Sequence, residues 1–294
     1  MQNLHSQKNG LKLFFLGIFI LPLALNFALL NLEIPFHKIE NAENTKTAAS
    51  NKNQIKNSKE IELAKLLEAQ ITTDTENYDN IYKEDLTHCK SLSYQALQIL
   101  PKNHAKQLKK ITYMFDPEAR RGYGGQTTIK IRCIEVTDEE FVGVFLHEMG
   151  HIVDTGLIQG SLVYGKSEFL DGRKAIYNND SSLKFYQISW KNNITLKTKN
   201  SLHFISGYSK TDPFEDFAES YNSYVSQGSR FRTLAKNNVA LAKKYAVLKK
   251  YFFNNKEYGE ELDAYSYYKA QTRTYDTTIL TYNLNLLLNS NNQL

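Results

Sequence analysis

The 294 residues, 41% hydrophobic and 23% charged, are enough for one sizeable core with appendages and exclude a disordered chain. A net charge of +5 arises from 36 basic and 31 acidic side chains dispersed along the sequence. No basic stripe follows from that dispersal, so nucleic acid is not expected as a partner.

In chain order, Lys8 and Lys12 precede an apolar run over 13–32 broken by Gly17, Pro22, Asn26 and Asn31. That is about the 20 residues a helix needs to cross a bilayer, and no small-x-small cleavage site follows it. The run reads as an uncleaved signal anchor with residues 1–12 in the cytoplasm, a cleaved signal peptide being the alternative. Either reading places the remainder outside the cytoplasm, at the cell membrane or secreted. Residues 33–80 read as a polar tether, barest in NAENTKTAASNKNQIKNSK at 41–59. Within it, 61–71 has helix-like apolar spacing and TTDTEN at 72–77 reads as a break. Ordered structure is expected from about Ile81.

The following body is taken as 81–255. Residues 92–100 suggest a helix stopped by Pro101, and Asn103 can cap another through Leu108. ITYMF at 111–115 is a strand pattern, and TTIKIRCIEV at 127–136 is a second. Between them lies the turn-rich DPEARRGYGGQ, where Gly122, Gly124 and Gly125 permit a tight bend or a flap. Thr137 or Asp138 can cap the next helix, whose first turn holds Glu139 and Glu140 and whose apolar face holds Phe141, Val144 and Phe145. Cys89 and Cys133, the sole cysteines, are a candidate disulfide in an exported chain; two buried thiols are the alternative.

That helix carries FVGVFLHEMGHIVD at 141–154, in which His147, Glu148 and His151 fit the pattern HExxH. Two imidazoles four residues apart share a helix face and can converge on one cation, with Glu148 beside them. A zinc peptidase needs a third protein ligand and an open fourth position. The extended form of the motif is excluded, because Asp154 and Leu157 stand where it needs Gly and His. GYSKTDPFEDFAESYNSYV at 207–225 offers a carboxylate from a second helix: Asp212 before Pro213 is a start signal, and Glu215 and Glu219 lie one turn apart. Glu215 is the expected third ligand, with His203 in reserve. The structural alternative is a capping box closed by Glu215 and a solvated Glu219. Asp154, one turn beyond His151, is expected to orient a ligand or cap the helix. His88 and His104 stand apart from the motif. Apolar spacing predicts helices over 213–226 and 232–250.

HEMGH together with Tyr208-x6-Glu215-x3-Glu219 resembles the catalytic domain of anthrax toxin lethal factor and the secreted Pro-Pro endopeptidases, over roughly 86–253. The resemblance implies zinc on His147, His151 and Glu215, Tyr208 facing the reacting carbonyl, and Glu219 supporting a ligand from behind. It also implies an α+β zincin-like fold: a small mixed sheet, the active-site helix beneath it, and a mostly helical C-terminal half. The strand at 127–132 would be the edge that pairs with extended substrate. The interval from His151 to Tyr208 is longer than in those relatives, so neither kinase substrates nor a proline-proline preference carries over.

The expected function is that of an exported, membrane-tethered zinc endopeptidase acting on a peptide or protein, with Glu148 as general base. The alternative is a zincin-like surface binding module with structural zinc. Residues 256–294 form a tail of unknown role, whose Tyr-rich and apolar stretches also suit partner binding.

Overall fold

Four short strands form one mixed sheet: β1 (Thr72–Glu76), β2 (Lys110–Met114), β3 (Gly122–Gly125) and β4 (Thr128–Arg132), in the order β1-β2-β4-β3. This computed structural model describes residues 70–156, 160–259 and 274–289. The predicted anchor at 13–32 and most of the tether, including 61–69, lie outside the described residues. Among those described, no helix is long and apolar enough to cross a membrane.

β2 pairs in parallel with both β1 and β4, and β3 runs antiparallel to β4. The two inner strands hold the core, with Ile111, Tyr113, Ile129 and Ile131 fully buried. TTDTEN is not a break but the outer strand β1, whose side chains are mostly exposed and therefore lack a buried alternation. Its carboxylates meet neighbouring lysines, Asp74 to Lys110 at 3.0 Å and Glu76 to Lys130 at 2.5 Å, which suits a sheet border kept in water. The strand beginning at Thr128 is interior, and the border on the motif side is the glycine-rich β3, read from sequence as a turn.

Helix α1 (Lys83–Ile99) buries Leu92, Ala96, Leu97 and Ile99 and stops before Pro101. The single turn α2 (Lys102–Ala105) starts from Pro101, so Asn103 is not its cap. Cys89 of α1 and Cys133 at the end of β4 are joined in a disulfide, Cα–Cα 6.1 Å, which ties helix to sheet. Helix α3 (Asp138–Gly156) begins where Thr137 Oγ1 accepts from the Glu140 N–H at 3.2 Å. Three acidic residues in its first turn complement the positive end of the helix dipole. Its interior, from Phe141 to Val153, is almost wholly buried.

The long interval after α3 contains a hairpin, β5 (Lys166–Asp171) with β6 (Lys174–Tyr177), and α4 (Ser182–Ser189). Helices α5 (Pro213–Ser226), α6 (Gly228–Ala235) and α7 (Val239–Val247) follow, α7 running into a π-helical turn at Leu248–Phe252. The single helix expected over 232–250 is thus two. Asn238 interrupts it by accepting from the Leu241 N–H at 3.0 Å, starting a new helix rather than continuing the old one.

α3 and α5 pack with their backbones unusually close. A Cβ on Gly150 would lie 2.8 Å from the Ala218 Cα and 3.1 Å from the Tyr221 Cβ, so only glycine permits this approach. The body also continues past 255. Thr277, Thr278 and Leu287, the last in α8 (Leu284–Asn289), are buried, and the Tyr282 hydroxyl donates to the Glu139 carbonyl at 2.7 Å.

Candidate active site

The close approach of α3 and α5 determines what faces what. Asp212 caps α5 by accepting from the Phe214 and Glu215 N–H groups, both at 2.9 Å, and Pro213 occupies the first helical turn. With the cap made by Asp212, the Glu215 side chain is free to turn inward. Its Oε2 lies 3.1 Å from His147 Nε2 and 3.4 Å from His151 Nε2, and its Oε1 accepts from the Tyr208 hydroxyl at 3.1 Å. One turn on, Glu219 is fully buried, with Oε1 2.9 Å from His147 Nδ1 and Oε2 accepting from the Thr277 N–H at 2.8 Å. Neither the capping box nor a solvated Glu219 describes these two residues.

His147, His151 and Glu215 each offer one ligand atom, all within 4.8 Å of one another. A tetrahedral zinc with donors at about 2.0–2.1 Å sets them about 3.3 Å apart, close to the 3.1 and 3.4 Å separations here. The carboxylate behind His147 engages Nδ1, which leaves Nε2 as the coordinating nitrogen. The donor set therefore fits a zinc ion.

The electrostatics agree. Burial alone would lower the His147 pKa, but Glu215 and Glu219 outweigh it and hold it well above the ordinary imidazole value. Burial would raise Glu215, but the two imidazoles pull it far below the carboxylate range. Glu148 is raised, chiefly by burial, with His147 and His151 opposing. Three carboxylates packed against two imidazoles in a low-dielectric pocket give a site that a divalent cation complements.

These groups face a cavity of about 350 Å³ whose opposite wall is β3. Gly122 and Gly124 rest directly on Glu148. A Cβ at Gly122 would lie 2.5 Å from Glu148 Oε1; one at Gly124 would lie 2.6 Å from Oε2 and 2.8 Å from the Glu148 carbonyl oxygen. Gly122 and Gly124 are therefore needed for the strand to approach, whereas a Cβ on Gly125 would meet nothing within 4 Å. Gly124→Ala is expected to cost about 1–3 kcal/mol of stability, as overpacking does, read as a lowered urea midpoint. An unchanged midpoint would show that β3 can retreat freely.

Asp154 does not serve the cluster. It is buried, and its Oδ2 accepts from the Tyr186 hydroxyl of α4 at 2.5 Å, so it ties α3 to the inserted region. Burial holds its carboxyl well above the usual range. His203 lies in the 3-10 turn Ser201–His203, where its carbonyl accepts from Lys244, and it is not part of the ligand trio. His88 pairs with Asp138 at 2.7 Å, and His104 is buried against Tyr221.

Sequence reasoning missed the neighbours supplied by 274–278. Tyr275, Asp276 and Thr278 line the cavity, and Arg121 pairs with Asp276 while donating to Thr278 Oγ1 at 2.8 Å and Glu140 at 3.2 Å. No motif announces them, and the contact of this segment to Glu219 is made by the main-chain N–H of Thr277.

Residues 132–293, just over half of the chain, match the family model described as "Putative zinc-binding metallo-peptidase". No curated protein and no solved structure matches the chain. The chain belongs to this family of zinc-binding metallo-peptidases.

Proposed function

We propose that the protein is an exported endopeptidase that hydrolyses peptide bonds with zinc held by His147, His151 and Glu215. The observation that carries this reading is the convergence of two imidazole nitrogens and one carboxylate oxygen within 4.8 Å of one another beside an open cavity. When bound, zinc supplies Lewis-acid polarisation and lowers the pKa of water to about 7.

The chain's own residues supply the rest. Glu148, on the cavity wall, takes a proton from the attacking water at its carboxylate and returns it to the departing amine. The Tyr208 hydroxyl, which donates to Glu215 Oε1 at 3.1 Å, would exchange that hydrogen bond for one to the carbonyl oxygen as negative charge develops there. Glu219 holds the His147 ring through Nδ1. The outer border of β3 gives an extended substrate a main-chain partner, and the exposed rings of Tyr123 and Tyr275 flank the same cavity.

A non-catalytic binding module is disfavoured by the ligand count. A structural zinc site closes its fourth position with a side chain, and among the described residues the cluster contains three candidate ligands, not four. The disulfide between Cys89 and Cys133 supports an oxidising compartment. With the apolar run at 13–32, it supports a catalytic body held at the outer face of the membrane, or released if that run is removed.

Metal analysis of the full chain together with cleavage of a random peptide library tests the reading. We expect about one zinc per chain, cleavage abolished by a chelator and restored by zinc, and a sharp loss of bound zinc in Glu215→Ala. A zinc-replete wild type that cuts no peptide would overturn it in favour of a binding module.

A further inference from the structure

We propose that segment 274–278 is a working strap of the active site, and that the Thr277 main-chain N–H is a positioning group for the ligand His147. The inference rests on the proposed zinc site and concerns what keeps that site in order.

The strap touches every element that builds the site. The Gly207 and Tyr208 N–H groups donate to the carbonyls of Thr274 and Tyr275, at 2.9 and 2.6 Å, so the chain at Tyr208 is held by its main chain. Thr277 is fully buried, accepts at Oγ1 from Asn222 at 3.0 Å and at its carbonyl from Gln227 at 3.1 Å. On the other side, Arg121 at the start of β3 pairs with Asp276. The Thr278 backbone lies against α3 where Gly143 has no side chain; a Cβ there would be 3.1 Å from the Thr278 carbonyl oxygen.

The decisive contact is the 2.8 Å hydrogen bond from the Thr277 N–H to Glu219 Oε2. Glu219 has no solvent contact, and its other oxygen faces His147 Nδ1 at 2.9 Å. A buried carboxylate oxygen deprived of its donor bears a desolvation cost. Glu219 would then rotate toward another donor, and that change frees the His147 ring. Outer hydrogen bonds of this kind fix the orientation of a ligand imidazole, and losing one commonly costs 10–100-fold in metal affinity. The strap thus sets zinc affinity through His147, which lies 130 residues before Thr277 in the chain, without offering a ligand.

Two substitutions at one position separate this from a general packing role. Thr277→Pro removes the N–H, whereas Thr277→Val keeps it and removes only the hydroxyl that Asn222 donates to. In the full chain, zinc affinity is read by chelator competition, and the visible spectrum of the Co2+-loaded protein reports the His147 environment. We expect Thr277→Pro to bind zinc about 10–100-fold more weakly, with an altered cobalt spectrum. Thr277→Val should lower Tm yet keep wild-type zinc affinity and spectrum. A folded Thr277→Pro with wild-type affinity overturns the inference, as does Thr277→Val losing as much affinity as the proline variant. If Thr277→Pro does not fold, Asp276→Asn and Arg121→Gln loosen the same strap from its far anchor; wild-type zinc affinity in both is likewise an overturning result. A wild type that binds no zinc defeats the proposed function itself and is distinguished from all of these.

Discussion

Glu148→Gln is expected to lower kcat/KM for a cleaved peptide by about 10²–10⁴-fold, the usual contribution of a positioned general base, while leaving zinc content at the wild-type level. The amide has the same shape but cannot accept a proton at neutral pH. Glu148 is no ligand, since the trio is complete without it, so the metal has no reason to leave. Nor should the fold weaken. The carboxylate is buried beneath the glycines of β3 and its pKa is raised by that burial, so an uncharged isostere relieves a desolvation cost. Peptide turnover measured beside metal content checks this. Glu148→Gln cleaving at the wild-type rate would move the base elsewhere.

Removing the disulfide is expected to produce the largest change in stability. Cys89 and Cys133 lie 44 residues apart, and closing a loop of that length restricts the unfolded chain by about 4 kcal/mol on the chain-entropy account. The bridge joins α1 to the end of β4, only a few residues before Thr137 starts the motif helix. Cys89→Ser with Cys133→Ser should therefore unfold at a much lower urea concentration than the oxidised wild type, with reduced wild type resembling the variant. Coincident unfolding curves for oxidised and reduced protein would reject the expectation.

The parts of the site legible in the sequence are those encoded locally. HExxH fixes its own geometry once it is helical, and Asp212 with Pro213 announces the helix that brings Glu215. What stayed hidden depends on partners distant in sequence. β1 carries almost no buried side chain, so its pairing with β2 left no alternation to read. β3 consists of residues that usually mark a turn; they form a strand here because they pair with β4, and Gly122 and Gly124 must lack side chains because Glu148 lies directly beneath them. Helical spacing put Asp154 one turn from His151 but could not reveal that Tyr186 would meet it. The tail at 274–278 reaches Glu219, Gly207 and Tyr208 through main-chain atoms, which every residue possesses, so its composition gave no hint of those contacts. The split of the helix expected at 232–250 turned on one side chain, Asn238, competing successfully for a backbone N–H.

The position of β3 bears on which targets the proposed enzyme can reach. Among the described residues no other strand covers its outer border. A polypeptide lying there must arrive with its own amide and carbonyl groups uncommitted, which the interior of a helix or a paired strand cannot provide. Hydrolysis would then fall on linkers, termini and unravelled stretches of other proteins, and intact domains would be spared by their own backbone pairing rather than by any signature in their side chains.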